Sequence, residues 1–184
     1  SRHQQIIRNA LGWLHAAEYE LDHIDRIKNL ATEIRDEGFK HLLLLGMGGS
    51  SLCPEVCAMT YGDVEGRPEL LVLDSTVPAQ VRAFESKIDL EKTLCIVSSK
   101  SGTTSEPLAF YHYFFDRMEQ VKGDRAGENF IAITDPGSFL EHLADESRFR
   151  DVIHGDPSIG GRYSALSNFG VVPAALMGVE IEHF

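Results

Sequence analysis

From Leu21 onward, apolar residues recur at helical spacing. Leu21, Ile24, Ile27, Leu30, Ala31 and Ile34 fall on one face with charged residues between them, and Gly38 stands where such a helix would stop. Residues 3–20 carry a more mixed helical pattern, with Ile6, Ile7, Leu11, Trp13 and Leu14 available for one face. The period then changes. Leu42 to Leu45 is a continuous apolar run, the mark of a strand buried on both faces and hence of a parallel sheet covered by helices. The alternation repeats: Leu52–Tyr61 helix, Leu70–Leu73 strand, Pro78–Lys87 helix, Thr93–Val97 strand, and a Phe- and Tyr-rich Pro107–Val121 helix. A polar loop at 123–128 leads to a strand at Phe130–Ile133, and the turn Thr134–Ser138 starts a short helix. Phe149–Ile153 is a fifth strand, and a helical apolar run extends to Gly178.

Strands alternating with helices, the strands apolar throughout, predict a doubly wound α/β sandwich of three layers, helix, sheet and helix, around a five-stranded, mainly parallel sheet. Its ligands are expected at the carboxyl ends of the strands, near the switch in strand order. The 184 residues make one ordinary domain. Ser1 and a stop at Phe184 just after an apolar run lead us to expect a domain excised from a longer polypeptide, with residues 1–20 an N-terminal helical segment.

Composition narrows the function. A net charge of −11 argues against nucleic acid, which is bound by neutralising its phosphates with Lys and Arg. A small phosphorylated ligand is compatible with it, because local donors outweigh a diffuse, screened surface charge. The aromatic group Phe110, Tyr111, Tyr113, Phe114 and Phe115 therefore reads as helix packing rather than a stacking platform. No apolar stretch is long enough to span a membrane, and no secretory signal is visible. Cys53, Cys57 and Cys95 are odd in number and lack zinc-like spacing, so they are expected to be reduced thiols of a cytoplasmic protein, with no metal.

Three stretches carry candidate chemistry. Residues 98–107, Ser-Ser-Lys-Ser-Gly-Thr-Thr-Ser-Glu-Pro, crowd hydroxyls at a predicted helix N-terminus, where unpaired amides and the helix dipole favour an anion. Lys100 adds a charge, and Gly102 permits a tight turn. The same residues also read as helix-start chemistry, with Thr103 and Glu106 spaced as a capping box. Gly46-Met47-Gly48-Gly49-Ser50-Ser51 follows the first strand; it is neither a dinucleotide fingerprint nor a P-loop, and tight-turn geometry accounts for it as well as a ligand does. Arg162, in Gly160-Gly161-Arg162-Tyr163-Ser164, is suited to an oxyanion or phosphate, or to a surface ion pair.

Taken together, Gly46–Pro54, Ser99–Glu106 and Gly160–Ser164 resemble, in order, three signatures of the glucose-6-phosphate isomerase family and span the first of its two sugar isomerase (SIS) domains. Leu73-Asp74-Ser75-Thr76 and Ile131–Gly137 look closest to the isomerase part of bacterial bifunctional transaldolase/glucose-6-phosphate isomerases. The resemblance implies a flavodoxin-like SIS fold. It implies that Ser99, Lys100, Ser101 and Thr104, with Gly102 and Thr103 beside them, bind the phosphate, that Gly48, Gly49 and Ser50 line the sugar, and that Arg162 stabilises a cis-enediolate. Cys53 stands where the family usually has Gly, and Ser101-Gly102 where Thr-Phe is more common. The family's proton-transferring Glu, ring-opening His and late Lys have no match here, and His154, Glu55, Glu106 and Glu141 read as surface, loop or capping residues.

The resemblance thus implies a phosphosugar-binding domain of an enzyme interconverting glucose 6-phosphate and fructose 6-phosphate. No cofactor or metal is called for, since the chemistry is proton transfer. The implied partners are a phosphorylated hexose, a second SIS domain of the same parent chain, and a second copy in a homodimer. The alternatives are a phosphosugar-sensing SIS regulator without catalysis, and a structural α/β domain that pairs with itself.

Overall fold

The computed structural model describes Gln4 and residues 11–183. Eleven main elements follow in the order α1 (Ala16–Asp36), β1 (His41–Gly46), α2 (Leu52–Tyr61), β2 (Glu69–Leu73), α3 (Pro78–Lys87), β3 (Thr93–Ser98), α4 (Ser105–Lys122), β4 (Phe130–Thr134), α5 (Phe139–Glu146), β5 (Asp151–His154) and α6 (Asn168–Leu176). These five strands pair in parallel throughout, in the order β2-β1-β3-β4-β5. This is the doubly wound order with its switch at β1/β3.

The period of two along each strand divides the core. Leu42 and Leu44 of β1, with Leu94 and Ile96 of β3 and Ile131 and Ile133 of β4, face Ile27, Leu30 and Ile34 of α1 and Phe169 to Met177 on and just after α6. Leu43, Leu45, Cys95, Val97 and Ala132 face the other way, onto Phe110, Phe114 and Met118 of α4 and Leu140 and Ala144 of α5. Apolar residues on both faces of the central strands are the physical reason for a third layer. The α4 aromatics do pack. Tyr111 and Phe115 join Phe130 and Phe149, with Phe115 and Phe130 centroids 5.2 Å apart.

Four expectations need correction. Leu21, placed on the apolar face of the first helix, is exposed; the helix begins at Ala16, and Ala16 and Glu20 extend its buried face instead. Leu11, Trp13 and Leu14 are exposed around a 3-10 turn at Gly12–His15, while Ile6 and Ile7 lie outside the described residues. The last strand runs over Asp151–His154 rather than 149–153, because Phe149 leaves the ladder to join the aromatic cluster. The polar loop after α4 is wound as 3-10 turns and buries Ala126 and Gly127, where a Cβ on Gly127 would lie 2.2 Å from the Ser147 carbonyl.

Candidate active site

β3 runs fully buried to Ser98 and delivers Ser99, which is 2% exposed, to the carboxyl edge of the sheet. The turn that follows is held at its base. The Ser99 amide donates to Ile133 O at 3.0 Å, and the Gly102 amide to Ser99 O at 3.1 Å. Gly102 has a φ of +69°, and a Cβ there would lie 2.8 Å from Ser138 at the start of α5, so both conformation and space call for Gly. Ser99 Oγ donates to Thr104 Oγ1 at 3.2 Å across the loop, and Ser101 Oγ accepts from the amide and hydroxyl of Thr103.

The expected capping box at Thr103 and Glu106 does not form. Thr104, in extended conformation, is the N-cap of α4, and no side chain caps that end. The shift by one residue leaves the first-turn amides of α4 without intrahelical partners, next to a ring of hydroxyls. Such an end favours an anion.

The glycine turn adjoins this loop through the sheet, since Gly46 is opposite Ser98 in the β1/β3 ladder. Gly48 has a φ of +57° and opens a 3-10 turn to Ser50. Ser50 is buried, and Ser51 Oγ donates to Gly48 O at 3.2 Å. Gly49 has a steric duty: a Cβ there would sit 2.0 Å from the carbonyl of Gly161. The first and third stretches therefore touch backbone to backbone. Ser164 Oγ fastens the contact, within 3.3 Å of Gly49 O and 2.8 Å of Gly161 O. Arg162 rides beside it, exposed and without an ion pair to any described residue. Tyr163 stacks on Trp13 at 5.7 Å.

The second and third stretches are joined by Lys100. Its Nζ donates to Asp135 Oδ2 at 2.5 Å and to Asp156 O at 3.0 Å. The side chain expected in the phosphate site is thus committed to the end of β4 and to the residues leading to Gly160. Asp135 and Asp156 are 35 and 56 residues from Lys100, so no local spacing signals their part in the site.

Nearby ionisable groups respond to burial. Desolvation raises the Glu20 carboxyl from 4.5 to about 7, against the opposing effects of the Asn168 amide it accepts from and of His23, while Asp156 adds to the rise. Its Oε2 has no partner. Cys53 lies where α2 meets the third stretch, its thiol 3.8 Å from Ala165 O, and a hydrogen bond from Cys57 holds it below the usual thiol range. His154 Nε2 meets Glu141 Oε1 at 2.7 Å, and Glu141 also accepts from the Gly137 amide. Among the described residues no group of three or more His, Cys, Asp or Glu could hold a metal ion. No described helix is long and apolar enough to cross a membrane.

Comparison with known proteins places the chain as a whole. A family model described as Phosphoglucose isomerase matches residues 22–183. The glucose-6-phosphate isomerase of Carboxydothermus hydrogenoformans is 32% identical over 185 residues, covering 95% of this chain and 39% of that protein. Among solved structures, a hypothetical protein from Thermus thermophilus superposes with a TM-score of 0.84 at 26% identity, covering 95% of this chain and 41% of that one. A glucose-6-phosphate isomerase from Chlamydia trachomatis gives 0.78 at 32% identity, covering 92% and 32%. The chain spans about two fifths of the length of the first curated relatives it matches.

Proposed function

Given that the chain belongs to the phosphoglucose isomerase family, we propose that it is the phosphate-capturing domain of an enzyme interconverting glucose 6-phosphate and fructose 6-phosphate. In this reading the hydroxyls and backbone amides of the loop from Ser99 to Thr104 and the first amides of α4 hold the phosphate, with Gly48, Gly49 and Ser50 along the sugar. A proton moves between C1 and C2, negative charge grows on the enediolate oxygens, and Arg162 stabilises it. A guanidinium suits the task, being permanently charged and able to offer two parallel donors.

The base comes from elsewhere in the parent protein. Proton abstraction needs a carboxylate or imidazole within hydrogen-bond reach of the carbon-bound proton. Glu141 and His154 are occupied with each other and with the Gly137 amide. Glu106 starts α4 and Glu55 lies in the first turn of α2. We assign the missing base to a second SIS domain of the parent chain.

The observation that carries this reading is that the three stretches are brought to one edge: Gly46 beside Ser98, Gly49 against Gly161, and Lys100 on Asp156, four residues before Gly160. Calorimetric titration with 6-phosphogluconate, glucose 6-phosphate and inorganic phosphate tests it. Saturable binding is expected, weakened at least about ten-fold in Ser99→Ala/Thr104→Ala as charge-assisted bonds are lost. Glucose 6-phosphate turnover is expected only when the remaining parent segments are supplied. No binding by the folded chain would refute phosphate capture; brisk turnover by the chain alone, lost in Arg162→Ala, would refute the missing base.

A further inference from the structure

We propose that Lys100 is a positioning residue: its ammonium ties the phosphate loop to the segment carrying Arg162 instead of contacting the phosphate. The inference rests on the phosphosugar reading above and assigns a different task to a residue that sequence pattern places among the phosphate ligands.

Three observations carry it. The Lys100 side chain is only 23% exposed and spends two of its three donors on Asp135 Oδ2 and Asp156 O. Its charge is matched by a carboxylate that is itself only 21% exposed, so little field is left for an anion further away. The residue is also gripped through its backbone, because Lys100 O accepts from the Asp135 amide at 3.1 Å and lies 3.4 Å from Thr134 Oγ1. Both ends of Lys100 are therefore fixed to one turn.

The far side of the tether is equally constrained. Asp156 O accepts from the Ile159 amide at 3.0 Å as well as from Lys100, and the Asp156 carboxylate accepts from the Ser158 amide at 2.7 Å. These bonds close the turn that aims the chain at Gly160. Asp135 Oδ1 is buried without a partner, and a Cβ on Gly155 would lie 2.7 Å from it. The carboxylate is wedged between the phosphate loop and the strand exit, and removing the ammonium would leave it buried and uncompensated.

Asp135 separates this role from direct ligation by the sign of its effect. Were Lys100 a phosphate ligand restrained by Asp135, Asp135→Asn would release it and tighten binding, whereas Lys100→Met would weaken binding. A tether makes the two substitutions equivalent. The test compares Lys100→Met, Asp135→Asn, the double variant and Lys100→Arg with the unaltered chain, by amide NMR without ligand and by titration. Both single variants are expected to move the amides of residues 156–162, with Lys100→Arg restoring much of the pattern. Affinity for inorganic phosphate should stay within about three-fold, affinity for 6-phosphogluconate should fall about ten-fold, and the double variant should be no worse than either single one. Amide changes confined to residues 98–105, or opposite effects of the two single variants on phosphate affinity, would overturn the proposal. If the unaltered chain binds neither ligand, phosphate capture fails, and the ligand-free amide comparison still decides the tether. Should Lys100→Met fail to fold, Asp135→Asn carries the same test.

Discussion

The Ser99–Thr104 loop and the Arg162 segment lie on the same sheet edge and are built in opposite ways. The first is rooted in a fully buried strand, closed by its own amides and pressed against α5 through Gly102. The second, from Gly160 to Leu166, belongs to no strand and exposes Gly161, Arg162 and Tyr163. It is placed by a glycine contact, one serine hydroxyl, the Trp13 ring and the Lys100 tether. On the function proposed above, capture of a phosphate would call for a preformed cradle, and stabilising a charge that exists only during reaction for an arm that can be set against its target. The difference implies that damage to the borrowed supports of the arm should leave the cradle working.

Gly49→Ala breaks that comparison most severely. The new Cβ would fall 2.0 Å from Gly161 O, so one backbone has to move. A loss of stability on the order of 2–4 kcal/mol is expected from chemical denaturation, with displaced amides at residues 160–164. A silent Gly49→Ala would mean that the two stretches do not depend on each other.

Glu20 sharpens the comparison, because it supports the residues just after the arm. Its carboxyl, raised from 4.5 to about 7, binds a proton in the folded chain that the unfolded chain has already released. Stability therefore falls as pH climbs between those values and levels off above them. Glu20→Gln removes the fall and should be more stable at pH 8 by on the order of 1–3 kcal/mol, with little gain at pH 5. Melting curves at the two pH values decide it; parallel profiles would sink the explanation.

The smallest effect is expected on the cradle's own rim. With no capping box formed, Thr103→Ala should change stability by less than about 1 kcal/mol, below the usual cost of a lost N-cap. A larger loss would show that Thr103 caps α4 after all.

What was legible in the sequence divides along similar lines. Leu42 to Leu45 announced a strand covered on both faces, since four consecutive apolar residues leave no side for water. Pro78 fixed the start of α3 to the residue, as a proline at the first helical position should. The order of strands was readable only through the resemblance, which implied a flavodoxin-like fold, because pairing β1 with both β2 and β3 depends on two cores distant in sequence. Ser99 and Thr104 were visible as hydroxyls at a helix entry, whereas the fate of Lys100 was not: its chemistry suits a phosphate and an aspartate equally, and Asp135 is placed by another strand. The capping box misled by one residue because Thr103 and Thr104 are chemically alike and only the backbone angles choose between them.

The contact between Gly49 and Gly161 also sets an order of events. Parallel pairing means that β1 finds no neighbour until a whole crossover has been made, and β3, its other neighbour, comes later still. Such long-range closures slow folding. Ser164 is 115 residues beyond the carbonyl it meets on Gly49. On a ribosome, where the N-terminal part emerges first, the contacts of Gly49 with Gly161 and Ser164 come after β1, β3 and β4 have all been made.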